Sequence, residues 1–267
     1  MKAFLHTAIG KDYRQFQHYI WPLLLYFFST FTFANSALSN NVQAQTQVLA
    51  KQGKILIIIS SDQHGFWLPE VLEPYRLLAD AGYAIDIASP LGGDGYARGV
   101  SRLSKEQQNW FNNADLKQQL QQTKPLSAVV ATAYLAVYFA GGSGPMFDLV
   151  NNKQAMAITR DIYEAGGIVS ADCHGPAALI NVTLANGQRL IAGKKLTAKA
   201  NIEEGSWARN NYPFLLEDKI ADVGGLYSAK GKNQVHVVVD RRLITGQNPA
   251  SALPMAKRLL AQLAKRN

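Results

Sequence analysis

Hydrophobic residues recur at two spacings along this chain, and the two spacings begin to alternate near residue 54. The run 54–60 (KILIIIS) is a continuous, mostly β-branched segment, typical of a strand buried on both faces of a parallel sheet. The next segment, 68–81, places apolar residues at helical spacing, and Gly82 ends it. Pro74 lies inside this segment, so the helix proper is expected to begin there, with Glu70 on the turn before it.

The same alternation of strand and helix patterns continues to the C-terminal end. Further strands are predicted in 83–89, 128–142 and 167–172, a short strand pair in 190–200 and a hairpin in 234–246, and helices in 104–124, 148–167, 175–182, 214–224 and 250–265. Strands that alternate with helices indicate an α/β fold, a three-layer α/β/α sandwich around a mostly parallel, flavodoxin-like sheet. Such folds bind ligands beyond the carboxyl ends of their strands.

The N-terminal region differs from the rest of the chain. A segment with several basic residues precedes an uncharged apolar run, Tyr19–Ala34, and small and polar residues follow it. This order is typical of a secretory signal peptide, with cleavage expected after Ser36 or Ala44. The sequence therefore predicts a signal peptide or anchor plus linker over 1–44, a globular domain over 45–267, and an exported, periplasmic protein. The alternatives are an uncleaved membrane anchor, although the run is shorter than the roughly 20 residues of a span, and a buried helix of the fold.

Composition narrows the possible functions. The 267 residues are 48% hydrophobic and contain one Cys, which excludes a disordered chain, an internal disulfide and a zinc site built from several cysteines. The formal net charge is +8, but the basic residues are scattered and form no stripe with interleaved aromatics, so no nucleic-acid partner is predicted. The remaining question is whether the one thiol fills the core or reacts.

Cys173 lies in SADCHGP, between a predicted strand and a predicted helix. This position is typical of a nucleophile elbow, a sharp strand-to-helix turn that presents a side chain above the sheet. Gly175 and Pro176 suit the turn and the first helical position. The amino end of the following helix is expected to lower the pKa of the thiol. The alternative is an inert buried cysteine.

Several motifs resemble one known family. CHGPA after a buried strand, the upstream GGSGPMFDL, a G-x-x-x-x-E helix start and the C-terminal LITGQNPASA are similar to motifs of the DJ-1/PfpI superfamily, which has the class I glutamine amidotransferase-like fold. The likeness is greatest to its Hsp31-like glyoxalase III and chaperone branch, and it covers about residues 54–265. CHGPA followed by GQNPAS is specific when both occur in this order.

The resemblance implies roles for four residues. The family nucleophile falls on Cys173 and its adjacent histidine on His174. The acidic partner of the cysteine falls on Glu70, with Glu73 as the competing acid. A carboxyl group beside a thiolate should have a raised pKa and could move a proton near neutral pH.

The acid that orients the histidine falls on Glu204, or on Glu203 if the register slips by one; otherwise the two form a solvated acidic turn. Gly141 and Gly142 follow a strand, and the amide of Gly142, together with that of His174, is expected to stabilise an oxyanion. An ordinary loop is the alternative for these glycines.

Some positions depart from the family pattern or stay open. Ser143 stands where a His or Ala is usual, and Asp172 where a small apolar residue is usual. A carboxylate at Asp172 is expected to raise the pKa of Cys173 unless its side chain points away. His64, on the loop before Glu70, is interpreted as a surface residue or a residue that lines the site. The Hsp31-like metal triad of two histidines and a carboxylate is not evident, so no metal is predicted.

The resemblance also implies an activity. It is that of a glutathione-independent glyoxalase that converts methylglyoxal or a related α-oxoaldehyde into the hydroxy acid through a Cys173 hemithioacetal, with no cofactor. Two alternatives are a cysteine hydrolase of the peptidase or amidase kind, and a stress-response chaperone or redox sensor without turnover. A small aldehyde is the expected partner, the membrane is a partner only if the N-terminal segment is uncleaved, and the family suggests a homodimer.

Overall fold

The computed structural model describes residues 53–266. The predicted signal peptide or anchor over 1–44, and the boundary at residue 45, lie outside the described residues and stay predictions. Within 53–266 no helix combines the length and the apolar character that are needed to cross a bilayer.

A seven-stranded sheet forms the centre of the described part, and two short strand pairs lie beside it. In chain order the strands are β1 Lys54–Ile58, β2 Phe66–Trp67, β3 Ala84–Ser89, β4 Ala97–Arg98, β5 Lys124–Pro125, β6 Tyr134–Phe139, β7 Ile168–Asp172, β8 Lys195–Leu196, β9 Leu226–Tyr227, β10 Val237–Asp240 and β11 Leu243–Gly246. The sheet has the order β10-β11-β7-β6-β1-β3-β5. The β10–β11 hairpin is antiparallel and every other pairing is parallel.

Helices cover both faces of this sheet. They are α1 Pro69–Asp80, α2 Lys105–Phe111, α3 Ala114–Gln121, α4 Pro145–Asp148, α5 Lys153–Glu164, α6 Ser206–Asn211, α7 Leu216–Asp222 and α8 Ala252–Leu263. Ile55 and Ile57 of β1 pack in the apolar cluster of α1 and α8, whereas Leu56 and Ile58 pack in the cluster of α5. The uninterrupted apolar run therefore fills both faces of an interior strand. The predicted three-layer α/β fold is confirmed.

Three predicted elements are wrong in detail. Helix α1 begins at Pro69 and contains Pro74, because Pro69 occupies a first-turn position where a missing N–H costs nothing. The segment after Cys173 is a 3₁₀ helix, Gly175–Leu179, whose carbonyls accept bonds from amides three residues on. The strand pair expected in 190–200 is the single strand β8, which pairs in parallel with β9.

The topology brings three loops to one edge of the sheet. Strands β7, β6 and β1 are neighbours and run in parallel, so their carboxyl ends meet at the same edge. The segments that follow them carry, in turn, Cys173, Gly141 and the loop into α1 with Glu70. Convergence at this edge is what positions the candidate site.

Candidate active site

Cys173 occupies a strained turn at the end of β7. Its backbone φ is +53°, in the left-handed region that costs a side-chain-bearing residue about 1–3 kcal/mol. The chain then passes close to β6, where a Cβ on Gly175 would lie 2.3 Å from the carbonyl oxygen of Phe139, so only glycine fits. This geometry is that of a nucleophile elbow, and it leaves the Cys173 side chain nearly buried, at 4% exposure.

His174 lies between the thiol and a carboxylate. Its Nδ1 is 3.6 Å from Cys173 Sγ, and its Nε2 is 2.8 Å from Glu204 Oε1. A hydrogen bond from Nε2–H to the carboxylate leaves the lone pair of Nδ1 directed at the thiol. The three side chains therefore form a cysteine–histidine–glutamate triad with the order of contacts that base activation needs.

Glu203, the alternative acid for this place, contacts other groups. Its carboxylate accepts hydrogen bonds from the Asn233 amide at 2.8 Å and from the side chains of Gln247 and Asn248 at 3.0 Å each. The side chain is fully buried and lies 3.9 Å from Lys199 Nζ. Glu203 therefore connects three loops, and Glu204 is the residue that meets the histidine.

Glu70 faces the thiol from the first turn of α1. Its side chain is completely buried, and among the described residues neither carboxyl oxygen has a hydrogen-bond partner of ordinary geometry. Burial raises the pKa of Glu70 to about 8, while the facing Cys173 thiol, the charge of Lys199 and the Gly141 amide lower it. A carboxyl group with this pKa holds a proton at neutral pH and can release it. Glu73 instead accepts a hydrogen bond from Gln107 at 2.8 Å.

The two glycines after β6 fit the closest part of the site. A Cβ on Gly141 would lie 2.4 Å from Glu70 Oε2 and 2.6 Å from Cys173 Cβ, so a side chain at this position would separate the acid from the thiol. Gly142 has a φ of +103°, and its amide donates toward Cys173 and lowers the pKa of that thiol. An amide placed there can stabilise an anionic sulfur or oxygen by donating a hydrogen bond to it.

The pKa of Cys173 shifts opposite to the direction that the sequence indicates. Burial raises it well above the ordinary thiol value, the charge of Glu70 adds to the rise, and Lys199 and the Gly142 amide lower it by less. The 3₁₀ segment is too short to supply the dipole expected of an α-helix. The resting side chain is therefore a neutral thiol, and His174 is placed to take its proton. Lys199 gave no signal in the sequence; its amide donates to the Cys173 carbonyl at 2.8 Å.

Asp172 points into the layer between the sheet and α1. It is fully buried, and its Oδ1 lies 3.0 Å from Tyr138 Oη. Burial raises the pKa of Asp172 well above the ordinary range, and the charge of Glu70 raises it further. Asp172 in turn raises the pKa of Cys173, but by less than burial and Glu70 do. Tyr138 had no functional signal in the sequence, because it occupies an ordinary core position of β6.

An aromatic cluster reaches the triad from outside. The His64 ring stacks on Phe147 at 4.3 Å between centroids, and Tyr212 packs edge-on against Phe147 at 5.8 Å and against His174 at 5.1 Å. Tyr212 Oη also donates to Ser143 Oγ at 2.7 Å. Ser143, a departure from the family pattern, thus accepts a hydrogen bond that fixes Tyr212 in this aromatic cluster. Within 53–266 no group of three or more His, Cys, Asp or Glu side chains could hold a metal.

Known proteins are similar to this chain over most of its length. A model of the DJ-1/PfpI family matches residues 53–262. The glutathione-independent glyoxalase HSP31 of Saccharomyces cerevisiae is 30% identical over 211 residues, covering 74% of this chain and 89% of that protein. The glutathione-independent glyoxalase hsp3101 of Schizosaccharomyces pombe is 28% identical over 234 residues, covering 78% of this chain and 95% of that protein.

Two solved structures are similar to most of this chain. Glyoxalase III of Candida albicans is similar with a TM-score of 0.74 and 28% identity, covering 79% of this chain and 97% of that chain. Rapid Encystment Protein 24 kDa of Francisella tularensis is similar with a TM-score of 0.75 and 34% identity, covering 79% of this chain and 99% of that chain. The family resemblance indicated by the sequence motifs is confirmed.

Proposed function

We propose, from the premise that the chain belongs to the DJ-1/PfpI family, that it is a glutathione-independent glyoxalase with a cysteine nucleophile. It would convert methylglyoxal or a related small α-oxoaldehyde into the 2-hydroxy acid. The observation that carries the proposal is the line of contacts from Cys173 Sγ through His174 to Glu204, with the buried carboxyl of Glu70 facing the same sulfur. Relatives covered over most of their length carry the name glutathione-independent glyoxalase, which supports the choice of reaction.

The first step is addition of the thiol to the aldehyde. Sulfur bonds to the aldehyde carbon, the C=O π electrons move to oxygen, and His174 Nδ1 takes the thiol proton. Glu204 keeps the other ring nitrogen protonated and stabilises the imidazolium that forms. The imidazolium then protonates the new oxyanion, giving a hemithioacetal and a neutral histidine. The neutral resting thiol is compatible with this order, because the proton leaves as the C–S bond forms.

The second step moves hydrogen from the first carbon to the second. In its ionised form the Glu70 carboxylate removes the C1 proton, and electrons pass to the ketone oxygen as an enediolate. The C1 hydroxyl then gives its proton to the C2 oxygen, and the Glu70 carboxyl returns the proton it took to C2, so that C1 becomes a carbonyl and C2 carries the hydroxyl. A pKa of about 8 makes Glu70 a stronger base than an ordinary carboxylate while an ionised fraction remains at neutral pH. The product is a thioester of the hydroxy acid, with the Gly142 amide beside the reacting sulfur as a stabilising donor. Water then cleaves the thioester and restores the thiol. When the substrate is methylglyoxal, the released hydroxy acid is lactate.

Near-complete burial of the thiol supports a small substrate over a peptide. Cys173 is 4% exposed, whereas hydrolysis of a peptide needs a groove in which an extended chain reaches the nucleophile. Sensor cysteines are usually accessible and of low pKa, and Cys173 has neither property. We retain the homodimer as a proposal, to be tested by light scattering of the full chain.

The test is formation of the hydroxy acid by the full-length protein without glutathione. Methylglyoxal and several other α-oxoaldehydes would each be supplied and the hydroxy acid quantified. We expect product with at least one of them, and Cys173→Ala should lower the rate at least about a thousandfold. Wild-type rates in Cys173→Ala would rule out the nucleophile, and no hydroxy acid from any member of the panel would rule out the proposed reaction.

A further inference from the structure

The carbonyl of Glu70 is released from its helical hydrogen bond by a proline. Pro74 lies inside α1, four residues after Glu70, and has no N–H to donate to that carbonyl. Tyr138 Oη donates to it instead, at 2.6 Å. Tyr138 is fully buried and belongs to β6. The first turn of α1, which carries the Glu70 carboxyl, is therefore tied to the central sheet at this point.

Tyr138 has only one proton for two oxygen neighbours. A peptide carbonyl can only accept, and the contact with Glu70 O is the shorter one, so the phenolic proton belongs there. Asp172 Oδ1, 3.0 Å from the same Oη, must then bring its own proton for a hydrogen bond to form. A carboxylic acid in its neutral form is such a donor.

The surroundings of Asp172 favour that neutral form. The titratable groups that face it are the acids Glu70 and Glu73 of α1, Tyr138 of β6 and the adjacent Cys173, and no described cation pairs with it. On β11 its register partner is Gly246, which is uncharged. Oδ2 is buried without a hydrogen-bond partner of ordinary geometry in the described part of the chain, which an ionised carboxylate would tolerate far less well than a neutral one. The Gly141 amide lowers the pKa of Asp172, but by less than burial and Glu70 raise it.

We propose that Asp172 is a positioning residue for the reaction: as a neutral acid it donates to Tyr138, and Tyr138 in turn fixes the turn of α1 that holds Glu70 against the thiol. The turnover readout of this inference rests on the proposed function. Cys173 directly follows Asp172, the last residue of β7. The contacts from Asp172 through Tyr138 to the Glu70 carbonyl, here called the relay, therefore connect nucleophile and acid through β7, β6 and α1. Asp172 thereby stabilises the acid–thiol pair that its charge would otherwise disturb.

The test compares variants that keep or remove the donor at position 172. An asparagine amide can donate as a neutral carboxylic acid does, so Asp172→Asn should keep kcat for methylglyoxal within about threefold of wild type. Asp172→Leu, of similar size, and Tyr138→Phe should each lower kcat about tenfold or more, with KM within about twofold, because the acid moves relative to the thiol. The double variant Asp172→Leu/Tyr138→Phe should have a kcat no more than about threefold below that of Tyr138→Phe alone, since both substitutions act through one hydroxyl.

Two results would overturn the relay. One is an Asp172→Asn variant as impaired as Asp172→Leu, which would mean that a charged carboxylate is required. The other is wild-type kcat in Tyr138→Phe. This result would be decisive even if Asp172→Leu did not fold.

A second readout separates this inference from the proposed function. Cys173 is the only cysteine, so its alkylation by iodoacetamide can be followed by intact mass without turnover. Tyr138→Phe and Asp172→Leu should change the alkylation rate in the same direction by about threefold or more, and Asp172→Asn should not. If no oxoaldehyde is converted, the proposed reaction is wrong, but the alkylation rates still test the relay. Equal alkylation rates in wild type, Tyr138→Phe, Asp172→Leu and Asp172→Asn would refute it.

Discussion

At the residue scale, two adjacent glutamates with the same charge have separate tasks. Glu203 lies within a short 3₁₀ turn, whereas Glu204 follows it in an extended conformation. The change of backbone conformation directs the first carboxylate into a network of loop amides and the second toward the imidazole of His174. The sequence could not choose between them, because a one-residue shift of register leaves the motif equally plausible.

Exchanging each of the two carboxylates for an amide should separate these tasks. In Glu204→Gln the amide can donate to Nε2 and favour the tautomer with its proton on Nδ1, facing the thiol, so kcat should fall roughly a hundredfold or more. Glu203→Gln should instead lower the free energy of unfolding by about 2 kcal/mol, since its NH₂ group faces hydrogen-bond donors. Steady-state kinetics and urea unfolding of both variants provide the measurements. Equal loss of kcat in the two variants would contradict the assignment.

Some residues of the site were predictable and others were not. Cys173 and His174 are recognisable from the motif that contains them, since the elbow is a local feature. Tyr138 is not, because its role depends on a carbonyl 68 positions earlier that a proline has left without a donor. Lys199 likewise acts through charge on groups that only the fold brings near.

At the scale of elements, the strands were easier to predict than the ends of the helices. A β-branched run has one stable place in a layered α/β fold, between two apolar layers. A proline near the start of a helix permits more than one beginning. Pro69 and Pro74 both suit a first turn, and the structure begins α1 at Pro69. That choice places Glu70 inside the helix and creates the unpaired carbonyl that Tyr138 uses.

The loop after β6 should tolerate no side chain at its first glycine. Gly141→Ala would place a Cβ 2.4 Å from Glu70 Oε2 and 2.6 Å from Cys173 Cβ. We expect a loss of about 1–3 kcal/mol in unfolding free energy from overpacking and a fall in kcat of about a hundredfold from displacement of the acid. Gly205→Ala is the matched control, because nothing lies within 4 Å of a Cβ there, and it should stay within about 1 kcal/mol of wild type. Similar behaviour of the two variants would show that the close approach at Gly141 is unimportant.

At the scale of the whole molecule, the order of strands and helices predicts which strand ends meet. Parallel strands joined by helices bring their carboxyl ends to one edge, and the loops with Glu70, Gly141 and Cys173 converge there. What the order alone does not give is the direction of a pKa shift. Burial raises the pKa of the Cys173 thiol most, and Glu70 and Asp172 raise it further. That environment is assembled from α1, β6 and β7 together.

The N-terminal region bears on where in the cell the whole molecule acts. We propose that residues 1–44 direct export, since an uncharged run from Tyr19 to Ala34 follows basic residues and precedes small ones. Full-length protein made in a Gram-negative host should appear in the periplasm with the intact mass of a chain cleaved after Ser36 or Ala44. Leu24→Arg should leave the protein uncleaved in the cytosol, because an arginine in the middle of an apolar segment costs about 3 kcal/mol of insertion. Uncleaved wild-type protein in the membrane fraction would identify an anchor instead. Uncleaved wild-type protein in the cytosol would contradict export in either form, and would place the enzyme in the compartment where a dicarbonyl by-product of metabolism arises.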